Sequence, residues 1–124
     1  MEHVLLKLLT FRQQVQLFHW STMSYAKHVA SNTLYNNIST LIDKFVETLQ
    51  GRMNERISYK KLSLKLKNVS DKKIDKVLVT FREFLSGELE EKIDSVGKDN
   101  TDLKNIRDEM ISEVNQALYL FSLH

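Results

Sequence analysis

The chain has 124 residues, 42% of them apolar, which is enough for one domain with one hydrophobic core. It has no proline, three glycines and no cysteine, so disulfides are excluded, and an all-β fold rich in tight turns is disfavoured. Net charge is +2 and unevenly spread: residues 58–76 carry seven Lys against two Asp, and residues 77–124 carry five Lys/Arg against ten Asp/Glu. That mild balance argues against a dedicated nucleic-acid binder.

The predicted elements are helical. Residues 3–23 form the first helix, with Leu5, Leu8, Val15 and Phe18 at helical spacing and Leu9 and Phe11 widening the stripe. Its apolar stretch is broken by Lys7 and follows no basic region, so a signal peptide is not expected there. A second helix is expected to start near Ser31, an N-capping residue, and to end within a turn of Gly51. Its stripe is Leu34, Ile38, Leu41, Ile42, Phe45 and Leu49.

Residues 57–69 change period. Leu62, Leu64 and Leu66 alternate with Ser63, Lys65 and Lys67, which is strand spacing without a partner strand. The segment reads as an extended crossover strapped onto the bundle. Ser70 is expected to cap a third helix, with Asp71 in its first turn, where an anion meets the positive helix end. That helix uses Ile74, Val77, Leu78, Phe81, Leu85 and Leu89, passes through Gly87 and ends at Gly97. Thr101 opens the fourth, with Leu103, Ile106, Met110, Val114, Ala117, Leu118 and Phe121 inward. The expectation is a single all-α domain over 1–124, a four-helix up-down-up-down bundle. No stretch is apolar enough to span a membrane, and a cytoplasmic setting is expected.

Four residues carry candidate chemistry: His19, His28, Asp43 and Glu47. Asp43 and Glu47, four apart, share a helix face at the border of the apolar stripe. His28 precedes Asp43 by fifteen residues, about 22 Å along a helix. One chain therefore cannot gather all four, whereas two chains packed antiparallel about a two-fold axis could. Taken singly, each residue has a plainer reading: a histidine beside a core usually packs and hydrogen-bonds, and an Asp/Glu pair at this spacing usually faces solvent.

The stretch HWSTMSYAKHVASNTLYNNISTLIDKFVE (19–47) resembles the ferroxidase segment of Dps-type mini-ferritins, with a His-Trp pair, a second His, and an Asp and a Glu at the family's spacing. Leu34, Tyr35, Ile38 and Ile42 fall on its apolar or aromatic positions, and DLKNIRDEM (102–110) and NQALYLF (115–121) resemble its C-terminal helix. The segment is also similar to a Dps-like family found mainly in large DNA viruses and phages. The resemblance implies a ferritin-like fold and a homo-oligomer of at least a two-fold dimer. It implies an iron site between subunits, with His19 and His28 from one chain and Asp43 and Glu47 from the other. Three features depart from the family pattern: a shorter His19–His28 spacing, Asn32 at an often acidic position, and the Lys/Leu crossover in place of a short helix. Two other readings stand beside it. One is a non-catalytic structural or interaction protein, cytoplasmic or carried in a virion. The other is nucleic-acid contact through the lysines of 58–76, for which solvated lysines guarding an edge are the plainer explanation.

Overall fold

A computed structural model describes residues 1–123, and it is helical throughout apart from its connections. The segments are α1 (Glu2–Ser21), α2 (Tyr25–Met53), α3 (Ile74–Ser86), α4 (Glu88–Ser95) and α5 (Thr101–Phe121). One core joins them. α1 contributes Leu8, Phe11, Val15 and Phe18; α2 contributes Leu34, Ile38, Phe45 and Leu49; α5 contributes Leu103, Met110 and Val114. No helix among the described residues is long and apolar enough to cross a membrane.

Helix directions follow from contacts along α1. Thr22 at its C-terminal end bonds Asp71 just ahead of α3, Phe11 stacks on Phe81, and His3 pairs with Glu88 at the start of α4. α1 and α3 are therefore antiparallel. α1 and α2 are also antiparallel, joined by only three residues, 22–24. Hence α2 and α3 run the same way, and the expected alternation of directions is corrected to up-down-down-up. The reason is residues 54–73. A short loop would have forced α3 to turn back on α2, whereas this extended segment returns along α1 to the end where α2 began. Its course is pinned at both ends: the Ile57 amide donates to Gln50 Oε1, and the Lys67 amide donates to Gln14 Oε1.

Three predicted boundaries move. α2 starts six residues before Ser31, at Tyr25, because Ser24 supplies the cap: its hydroxyl accepts from the Lys27 amide at 3.2 Å. Ser31 is fully buried, and its hydroxyl donates to the His28 carbonyl one turn back. Ser70 does not cap α3 through its side chain; its carbonyl accepts the Lys73 and Ile74 amides, and a turn over 71–73 precedes the helix. Gly87 ends α3 rather than merely weakening it. With φ −111° and ψ −89° it leaves the helical basin, and α4 starts at the next residue.

That break frees the Leu85 carbonyl, and α5 fills it. Arg107, 7% exposed, donates from one guanidinium nitrogen to Leu85 O at 3.0 Å and from another to Glu90 at 3.3 Å. Its Nε reaches the neighbouring Asp108 at 2.8 Å. Lys104 pairs with Asp94 at 2.9 Å.

Candidate functional site

The α1–α2 turn brings His19 and His28 together. Their rings stack with centroids 4.0 Å apart and planes 16° from parallel. His19 Nδ1 lies 2.8 Å from the His28 carbonyl, and His28 Nδ1 lies 2.9 Å from the His19 carbonyl. A carbonyl can only accept, so each Nδ1 carries its hydrogen and each neutral ring presents an unprotonated Nε2. Backbone carbonyls fix the tautomer of metal-binding imidazoles in this way. The clasp also satisfies the His19 carbonyl, one of the open acceptors in the last turn of α1.

The turn is anchored to the start of α3. Thr22 Oγ1 accepts from the Ser24 amide and donates to Asp71 Oδ1 at 2.7 Å, while Lys27 Nζ donates to the Asp71 carbonyl. Asp71 thus braces the turn rather than serving the N-terminus of α3. The outside of the turn is apolar and bare: Trp20 is 66%, Met23 95% and Tyr25 77% exposed. Single exposed apolar residues are ordinary; here three fall within six residues, beside the imidazole pair.

Asp43 and Glu47 lie in the second half of α2, both exposed, while Phe45 between them is buried. The hydrogen bond and the charge of Asp43 hold the Glu47 carboxyl above its ordinary value. The mutual repulsion of two such carboxylates is one that a cation would relieve.

The structure brings together each half of the predicted set but not the whole. No group of three or more His, Asp or Glu able to hold a metal is present among the described residues. On α2, His28 and the carboxylate pair lie about 22 Å or more apart, as helical rise requires. They do share a side of the helix. At about 100° per residue, His28, Asn32, Asn36, Asp43 and Glu47 fall within one third of the circumference, and all five are exposed.

Sequence reasoning missed Ser24, Asp71 and Arg107 as organising residues. The Ser24 cap was legible in the sequence: a serine ahead of an unbroken helical run meets the N-cap preference as well as Ser31 does. The sequence profile of a family of unknown function matches residues 19–121. No curated protein and no solved structure matches the chain.

Proposed function

Because the chain belongs to that family of unknown function, DUF5856, its own residues must carry the assignment, and we propose that it is a Dps-like, ferritin-type iron-binding protein acting as a two-fold dimer. The observation that carries this reading is the reciprocal His19–His28 clasp, which commits both Nδ1 atoms to backbone carbonyls and leaves both Nε2 atoms for ligation. In the proposed dimer, α2 packs antiparallel to its copy about an axis near Asn36. His28 of one chain then lies opposite Asp43 and Glu47 of the other, along the exposed strip described above.

The donor set suits Fe(II): neutral imidazole nitrogens and hard carboxylate oxygens, with open positions for O₂ or peroxide. Bound there, iron would supply the one-electron chemistry, and the protein the geometry. Asp43 and Glu47 would contribute the anionic oxygens. Nearly parallel rings do not point at one common ion, so a metal shared with His19 would require His28, the more exposed ring, to give up its Nδ1 bond to the His19 carbonyl, while the bond from His19 to the His28 carbonyl is kept. In this dimer Trp20, Met23 and Tyr25, exposed in the single chain, would cover the site against the partner helix. The single long crossover and the parallel α2 and α3 support the ferritin-like part of the reading.

Anaerobic Fe(II) titration followed by air tests the proposal. The expected result is saturable Fe(II) binding and a ferric absorbance on oxidation, both lost in the Asp43→Ala, Glu47→Ala double variant. Absent binding, or unchanged binding in that variant, contradicts it.

One observation favours a second reading. Both Nδ1 bonds close the α1–α2 turn, a structural task complete without metal, and no ligand group of three forms within one chain. The protein is then a non-catalytic interaction scaffold, and Asp43→Ala changes neither metal content nor metal-dependent assembly.

A further inference from the structure

A groove of about 410 Å³ runs between α1, the crossover and α3, away from the histidines and carboxylates. Its floor is aromatic: Phe11 and Phe81 stack with centroids 3.7 Å apart, and Phe84 and Val77 extend the apolar surface. Its rim is cationic. Lys7 comes from α1, Lys65 and Lys67 from the crossover, and Lys76 from α3. No carboxylate lines the groove, and none of these four lysines is ion-paired among the described residues. Four unneutralised ammonium groups around an apolar trough repel one another, and an anion among them relieves that repulsion.

The crossover is fixed in place to form this wall. Gln14 is buried, and its amide bonds both the carbonyl and the amide of Lys67, as a neighbouring strand would. The clasp holds Lys65 and Lys67 over the groove, while Leu62 and Leu64 on the alternate positions are half-buried.

We propose that this groove binds a single-chain anionic amphiphile of the fatty-acid class, its hydrocarbon chain on the phenylalanine floor and its carboxylate among the four lysines. The shape sets this ligand apart from nucleic acid. Phe11, Phe81 and Phe84 are at least nine-tenths buried, so they show no free ring face for base stacking; they back the bottom of the trough, and half-buried Val77 and the aliphatic stems of the rim lysines complete the apolar surface along which a chain would lie. The volume suits a small molecule. This assignment is independent of the iron site: it shares no residue with it and stands whether or not metal binds.

Calorimetric titration with laurate, below its micellar concentration, tests the proposal, with dodecyltrimethylammonium as the cationic control and a short single-stranded DNA as the competing class. The expected result is one laurate per chain, no binding of the cationic analogue, and perturbed amide resonances over residues 10–14, 65–67 and 77–81. A Lys65→Glu, Lys67→Glu variant, shown folded by circular dichroism, should weaken laurate binding by roughly tenfold or more. Trp20→Ser, on the remote exposed patch, should leave it unchanged. Failure of laurate to bind, equal binding of both amphiphiles, undiminished affinity in the charge-reversed variant, loss of binding in Trp20→Ser, or tight DNA binding without laurate binding would each overturn the proposal.

Discussion

His19 and His28 hold one another by reciprocal bonds: each ring nitrogen Nδ1 meets the other residue's backbone carbonyl, at 2.8 and 2.9 Å, across rings stacked at 4.0 Å. The arrangement fixes the hydrogen on Nδ1 of both rings. Long-range proton–nitrogen correlation of the neutral protein should show the Nδ1-protonated tautomer at both residues. A proton on Nε2 of either ring would contradict the clasp. His28→Ala should cost about 1 kcal/mol in urea unfolding, the ordinary worth of a hydrogen bond at a partly exposed turn.

Glu47 gives the chain a definite pH response. Its carboxyl is held above the ordinary value of 4.5, first by a hydrogen bond to Asp43 and then by the Asp43 charge. The folded chain therefore binds this proton more tightly than the unfolded chain does, so the contribution to stability is present at low pH and is lost as pH rises through the Glu47 titration. Asp43→Asn removes the charge. Carbon-detected carboxyl titration should then show the Glu47 midpoint falling; an unmoved midpoint would separate the two side chains.

Arg107 secures the break between α3 and α4. Replacement by Leu would keep the packing and leave the Leu85 carbonyl without its guanidinium donor. Unfolding should show a loss of about 1–3 kcal/mol, the cost of an unsatisfied buried acceptor. A loss within experimental error would mean that the carbonyl finds water.

Gln14 has a more local effect. Gln14→Leu should release the crossover while the helices persist, so hydrogen exchange at the Lys67 amide should accelerate strongly while exchange in the middle of α2 and α5 changes little. Uniform acceleration would show that the crossover and the bundle unfold as one unit.

Much of this architecture was legible in the sequence because helical periodicity reports burial directly. Leu34, Ile38, Phe45 and Leu49 were read from spacing and are all buried, as are Leu103, Met110 and Val114 on α5. Direction was not legible. Whether α3 runs with or against α2 depends on where a 20-residue connection travels, and the side chains that steer it are local polar contacts such as Gln14 to Lys67 and Thr22 to Asp71. The helix break was hidden for a similar reason: a glycine inside an apolar stripe is tolerated or broken according to whether another helix can satisfy the freed carbonyl, and Arg107 lies twenty residues away in sequence. Of the four site residues, spacing alone separated the imidazole pair from the carboxylate pair. The mutual bonding of His19 and His28 was beyond it, since that depends on the three-residue turn and on which ring nitrogen faces which carbonyl.

The most direct test is native mass spectrometry of the protein loaded anaerobically with Fe(II). The proposed dimer predicts even-numbered assemblies carrying two metal sites per pair of chains, because each site would take imidazoles from one chain and carboxylates from the other. A monomer holding iron with wild-type affinity, or a stable dimer that takes up none, would contradict it.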